Sequence, residues 1–352
     1  LPLMNLQTKI KKYPYLTKNS VELEYLIRYT GSNGYLLLQN ERDFMFFTDG
    51  RYFEAYKKTL SDKVTLIPTG KTAFDMLSGS LTGNTLYINS GFFTYQEVWD
   101  LRKKINPVKI RFSNTELTQL RRFKNKDAYL NVRQAVEITE AGLAYLMAFL
   151  KEGVSEKECA VELEHYLKLH GAQELSFPII VLFGEKSAFP HGEPGERKLR
   201  AQDVVLVDLG VKKNHICSDM TRTFCFGGIP EGFREHYNFL LELQEETLKK
   251  IRPGIKPSLL DKNLREKLSK RSLEGFYTHS LGHGVGTEVH EAPMLSYLRP
   301  QPVLQKGELF TIEPGLYFPG RYGIRIEDLV YIHPHGKVEI LTTFPKEILV
   351  VS

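Results

Sequence analysis

Two helical segments followed by a run of strands occur twice in this chain, in the same order. That repeat limits the fold more than any other feature. The first copy opens near Lys126, where "YLNVRQAVEITEAGLAYLMAFLKEG" carries apolar residues at helical spacing and ends at Gly153. Ser155 can cap a second helix, with Glu158 completing a capping box, and that helix runs through "CAVELEHYLKLHG" to Gly171. Strand-like "FPIIVLFG", "DVVLVDLGV" and "HICSDMTRTFCFG" follow. The second copy has helical "FREHYNFLLELQEETLKKI" and "LLDKNLREKLSKRSLEG", then strand-like "ELFTIEPG", "YGIRIEDLVYI" and "VEILTT". The order predicts a pseudo-duplicated α+β domain over residues 121–352, with helices on one face of a mostly antiparallel sheet.

Residues 1–120 read as a smaller mixed domain. "GYLLLQ" and "DFMFFTDG" flank "NER" as a hairpin, "TLYINS" is a further strand, and "QEVWDLRKKI" is helical. "GSNG" at residues 31–34 lacks the spacing of a phosphate-binding loop and reads as a turn.

Within the larger domain, acids stand where hydrocarbon is expected. In "VVLVDLGVKKNHICSDMTRTF" (204–224), Asp208 follows four apolar residues and Asp219 comes eleven positions later. A hairpin with Lys213-Asn214 at its tip makes the two direct cross-strand partners. Charges ~5 Å apart at an effective dielectric of ~20 repel by about 3 kcal/mol. Taken alone, two surface aspartates in a slipped register explain the pair equally well. Three further clusters weigh against that. "THSLGHGVGTEVHEAP" holds His279, His283 and His290, "FTIEPG" places Glu313 at the end of an apolar strand, and "YGIRIED" places Glu327 after another, with Arg325 on the same face. Four carboxylates are neutralised by two divalent cations. Oxygen-rich ligation with an imidazole suits Mn²⁺, Co²⁺ or Zn²⁺. Two such ions ~3.5–4 Å apart can activate a bridging water against a carbonyl, so the chemistry expected is hydrolysis.

The net charge of +5 over 352 residues is too small to imply a nucleic-acid or membrane partner. The basic runs "KIKKY" (9–13) and "RRFKNK" (121–126) read as solvated surface and linker. Cys159, Cys217 and Cys225 are odd in number and lack CxxC spacing, which fits free thiols in a reducing cytoplasm. No apolar run reaches the ~20 residues of a membrane span, and the early lysines precede no secretory apolar region. Leu1–Leu3 read as a remnant before Met4.

The acid pair, "GHGVGTEVHEAP", "IEPG" and "RIED", in this order, resemble the pita-bread metallopeptidases, the group of methionine aminopeptidase, Xaa-Pro aminopeptidase and prolidase. "YTGSNGYLLL" and "FFTDGRY" resemble their creatinase-like α/β N-terminal domain, which points to the Xaa-Pro aminopeptidase and prolidase branch. The resemblance implies a curved sheet and five metal ligands: Asp208, Asp219, His283, Glu313 and Glu327. By it, Asp208 binds one ion in bidentate fashion, Asp219 and Glu327 bridge both, and His283 and Glu313 complete the other. Glu313 doubles as general base, His191 lies over the substrate carbonyl, His290 contacts the scissile peptide, and His279 and Arg325 bind substrate. Two divalent ions are implied, Mn²⁺ first, with Co²⁺ or Zn²⁺ as alternatives. The activity implied is an Xaa-Pro aminopeptidase acting on peptides with proline second, with a dipeptide-only prolidase as the alternative and a non-catalytic binding module as a remote one. A homodimer is also implied. Phe92, Phe93 and Trp99 could serve its interface, although packing inside the small domain is the plainer reading.

Overall fold

The structure, a computed structural model, describes residues 12–70, 73–113, 116–299 and 301–352. The Leu1–Leu3 remnant and most of the first basic run lie outside the described residues. The chain divides into two compact units, Leu1–Arg121 and Arg122–Ser352.

The first unit contains β1 (Tyr15–Thr17), α1 (Ser20–Ile27), β2 (Gly34–Leu38), β3 (Phe44–Thr48), α2 (Gly50–Tyr56), β4 (Val64–Pro68), α3 (Ala73–Ser80), β5 (Thr85–Ile88), α4 (Tyr95–Ile105), β6 (Lys109–Phe112) and α5 (Glu116–Arg121). Its six-stranded sheet runs β4-β3-β2-β1-β5-β6. The expected hairpin is β2–β3, with Leu38 opposite Phe44. Parallel pairs β3–β4, β1–β5 and β5–β6 account for the interleaved helices, because parallel neighbours need a crossover. Phe93 is buried here as expected, but Phe92 and Trp99 stay 40% and 46% exposed, so core packing accounts for only one of the three aromatics.

The second unit follows the doubled plan. Its first half has α6 (Lys126–Phe149), α7 (Glu156–Leu169), β7 (Glu174–Leu175), β8 (Ile180–Phe183), β9 (Asp203–Leu209), β10 (Val211–Lys213), β11 (Ile216–Cys217) and β12 (Met220–Phe226). Its second half has α8 (Phe233–Lys250), α9 (Pro257–Ser269), β13 (Gly282–Gly284), β14 (Glu291–Leu295), β15 (Leu309–Ile312), β16 (Gly315–Phe318), β17 (Tyr322–Arg325), β18 (Asp328–Ile332), β19 (Val338–Ile340) and β20 (Val350–Val351). The Ser155–Glu158 capping box forms at the start of α7. Each half buries its own apolar cluster: Leu143, Leu163, Val205 and Phe224 in the first, Leu240, Leu264, Phe310 and Val330 in the second. The sheets β20-β12-β9-β8 and β14-β13-β15-β18-β19 are antiparallel except where β20 joins β12.

The structure corrects three expectations. The tip of the 204–224 hairpin is Asn214-His215, both in the left-handed region, rather than Lys213-Asn214. Moving the tip by one residue makes Thr221, not Asp219, the partner of Asp208. The slip is an even two residues, so the alternation of faces is unchanged. Second, segments read as single strands are broken at or beside their acids: β11 and β12 part at Ser218-Asp219, and β17 and β18 part at Ile326-Glu327 and enter different sheets. Third, the run at 121–126 is largely buried rather than solvated. Arg122 and Lys124 are buried and ion-paired with Glu308 and Glu291, which compensates their desolvation.

Candidate active site

All nine residues singled out in the sequence line one cavity of about 470 Å³ in the second unit. Asp208 is near the end of β9. Asp219 and Glu327 occupy strand breaks, where the backbone turns and each side chain is aimed inward without a ladder partner. His283 is central in β13, and Glu313 directly follows β15. Asp219, His283 and Glu327 are buried and offer ligand atoms that all lie within 4.8 Å of one another.

Burial, then the neighbouring carboxylates, pushes Asp219 and Glu327 well above the ordinary carboxylate range. Burial also raises Glu313, against the pull of His279 and Arg325. Crowded buried acids whose charged forms are disfavoured in this way are poised for a cation. Nδ1 of His283 lies 3.1 Å from the Gly284 carbonyl oxygen, which can only accept, so Nδ1 carries the proton. The lone pair of Nε2 then faces Asp219 at 3.6 Å and Glu313 at 3.4 Å. Three lone-pair donors pointed at one another leave room for a positive ion, and the Nδ1–carbonyl bond is the usual outer support of a ligating histidine. Asp208 supplies a second sign: its Oδ1 is buried and has no hydrogen-bond partner. The donor set therefore fits a divalent metal on chemical grounds.

The Arg325 guanidinium sits behind these carboxylates. Its Nη2 donates to Asp208 Oδ2 at 2.5 Å, Nε to Thr221 Oγ1 at 2.9 Å, and Nη1 to the Tyr317 hydroxyl at 2.9 Å and the Pro190 carbonyl at 3.1 Å. Tyr317 in turn donates to His279 Nε2 at 2.8 Å, while His279 Nδ1 donates to the Ser280 carbonyl. Both ring nitrogens of His279 are thus engaged by the protein. His290 packs its ring against His283 at 4.2 Å, and burial followed by repulsion from His283 and His191 lowers it to about 4. It is neutral at pH 7.

Sequence reasoning missed Thr221 and Tyr317. Thr221 donates to Glu327 Oε2 at 2.7 Å while accepting from Arg325. Thr221 had a signal in the corrected register, where it faces Asp208; Tyr317 had none beyond nearness to Glu313.

Gly282 lets β13 lie close to β15, since a Cβ there would stand 2.1 Å from the Thr311 carbonyl oxygen. Gly282→Ala is expected to cost about 1–3 kcal/mol by overpacking and to shift His283 beside it. Chemical denaturation and a metal titration of the variant check both effects; unchanged metal affinity contradicts the second.

The profile of metallopeptidase family M24 matches residues 131–334, and that of the creatinase/prolidase N-terminal domain matches residues 15–123. The chain belongs to metallopeptidase family M24, and its fold is the two-domain pita-bread architecture of the Xaa-Pro branch. An uncharacterized peptidase of Staphylococcus epidermidis is 34% identical over 311 residues, 88% of each chain. Among solved structures, an Xaa-Pro dipeptidase from Bacillus anthracis has a TM-score of 0.90 at 31% identity, covering 96% of this chain and 94% of that one. An X-Pro aminopeptidase from Thermotoga maritima has a TM-score of 0.88 at 31% identity, covering 96% and 97%. A prolidase from Pyrococcus horikoshii has 0.87 at 29%, covering 95% of each. The protein is a metal-dependent peptidase.

Proposed function

We propose that the protein is an Xaa-Pro aminopeptidase, hydrolysing the bond between an N-terminal residue and a following proline with two divalent ions, Mn²⁺ first among them. The observation that carries the reading is the convergence of Asp208, Asp219, His283, Glu313 and Glu327 on one cavity with His191 and His290 on its wall. When bound, the ions would polarise the substrate carbonyl and supply an acidic water. Asp208, Asp219, His283, Glu313 and Glu327 would hold them. Glu313, raised by burial, takes the proton that the nucleophile releases. His191 and His290 face the reacting carbonyl and steady its developing charge. Arg325 orients Asp208 and, through Tyr317, His279. The apolar wall of Phe177, Ile180, Val289 and Met294 accepts hydrocarbon, including a proline ring.

One feature of the cavity favours aminopeptidase over dipeptidase. A dipeptidase must grip a C-terminal carboxylate. Among the described residues Arg325 is the one Lys or Arg lining the cavity, and its donors are directed at Asp208, Thr221, Tyr317 and Pro190. The dipeptidase reading draws support from the names of the Bacillus and Pyrococcus structures. Chelation is expected to abolish cleavage of an Xaa-Pro-Xaa tripeptide, and Mn²⁺ or Co²⁺ to restore it. Activity that survives confirmed metal loss overturns the metal mechanism. Cleavage of Xaa-Pro with rejection of the tripeptide assigns the chain as a dipeptidase instead.

A further inference from the structure

His191 reaches the cavity from a loop, and among the described residues no hydrogen bond holds its ring. Its placement therefore depends on the backbone around it. That backbone leaves β8 at Phe183, makes a short 3-10 turn over Gly184–Ala188, and returns past Gly195 toward β9. Its two ends meet at a single carboxylate. Glu156, in the first turn of α7, is fully buried. Its Oε1 accepts from the Phe183 N–H at 2.9 Å, and its Oε2 accepts from the Gly195 N–H at 2.9 Å. Lys186 Nζ sits 2.5 Å from the same Oε2 and also donates to the Glu193 carbonyl at 3.1 Å. The backbone of α7 adds bonds from the Glu156 N–H to Arg197 and from the Lys157 N–H to Gly195. The result is an Ω-type loop whose neck is closed by a buried carboxylate paired with a half-buried lysine and whose tip, Pro190–Pro194, forms a wall of the cavity.

We infer that Glu156, with Lys186, is a positioning residue for the reaction: it latches the neck of this loop and so fixes His191 over the substrate. The inference rests on the proposed peptidase reading and on His191 acting in it. A buried carboxylate with three donors is a demanding arrangement, because each donor lost leaves a charge partly unpaired. An apolar neck would close the loop as well without such a need for satisfied partners. The charged latch defines one loop geometry, since Oε1 and Oε2 each fit a particular backbone N–H. Glu156 and Lys186 touch neither the metal-ligating carboxylates nor, by any hydrogen bond, the strands that carry them. Their effect is expected on turnover and not on metal content.

The test is a double-mutant cycle on the metal-loaded enzyme with an Xaa-Pro-Xaa tripeptide. Glu156→Gln is expected to lower kcat by about tenfold or more, the scale of an outer-shell support, with metal per chain unchanged. In a His191→Ala background the same substitution is expected to have no further effect. Hydrogen exchange should quicken at residues 184–195 and stay unchanged in β9 and β12. A loss that multiplies with that of His191→Ala, or exchange that quickens across the whole unit, shows a merely structural role and overturns the inference. Wild-type kinetics in Glu156→Gln overturn it too. Should Glu156→Gln not fold, Lys186→Met carries the same cycle and exchange readout. If the wild-type enzyme cleaves no Xaa-Pro bond with metal present, the peptidase reading fails, and exchange still reports on whether Glu156 latches the loop.

Discussion

An Asp219→Asn variant is expected to lose about 10³-fold or more in kcat against an Xaa-Pro substrate. Lewis-acid stabilisation by a bound metal is worth several kcal/mol, and each 1.36 kcal/mol is tenfold in rate. Asparagine keeps the volume and one acceptor oxygen but removes the charge. In the metal-free protein the change runs the other way. Asp219 is held well above the ordinary range by burial and then by Glu327, Asp208 and Glu313, so its ionised form opposes folding without a cation. A group raised in this way contributes its stability at low pH and loses it as pH rises through its folded value. Metal-free Asp219→Asn is therefore expected to be more stable than the metal-free parent near neutral pH, a trade of function against stability. Steady-state kinetics, metal per chain and thermal unfolding under chelation check the pair of outcomes. Full activity in the variant overturns the carboxylate cage.

Asp328→Ala is expected to cost about 3–5 kcal/mol, the scale for breaking a buried ion pair by removing one partner. Domains are stable by only about 5–15 kcal/mol, so the loss is a large share. Asp328 is fully buried, and it accepts from Arg222 Nη2 at 2.9 Å, Lys346 Nζ at 2.7 Å, Gln244 Nε2 at 2.7 Å and Thr342 Oγ1 at 2.7 Å. Without it the buried Arg222 keeps its charge and loses its counterion. Arg222 also donates through Nη1 to the carbonyls of Thr221 and Glu327, at 3.0 and 2.5 Å. It thereby ties β12 to the strand break that presents Glu327, so weaker metal binding should accompany the loss of stability. Burial by itself would raise Asp328, but the charges of Arg222 and Lys346 and the bonds from Lys346 and Gln244 outweigh it and hold the group below its ordinary value. Its contribution is present above the unfolded aspartate value, ~3.9, and fades as pH falls through the folded one. Denaturant unfolding of wild type and variant at neutral and acid pH should show a gap that narrows on acidification. A gap independent of pH rules out the ionic account.

Much of this was legible in one chain. Helical spacing in α6 and α7, the Ser155–Glu158 cap and the repeated order of elements are local signals, and they appear where the residues put them. The acids were legible for the opposite reason: Asp208 and Glu313 break a local rule by standing at the ends of apolar strands. The hairpin tip was not legible, because Asn214 and His215 both adopt left-handed backbone that Lys213-Asn214 could also have offered on paper. The run at 121–126 looked solvated because its partners, Glu308 and Glu291, are far along the chain.

The division has a physical basis. Periodicity, capping and the presence of acids in hydrocarbon are properties of neighbours in sequence, and by themselves they determined the doubled helix–helix–strand plan and marked the acids that line the cavity. Register, strand breaks and the supports of the site depend on contacts between distant segments. Only the tertiary structure could place Thr221 opposite Asp208, put Glu327 in the gap between two sheets, bring Tyr317 between His279 and Arg325, and close the His191 loop on Glu156.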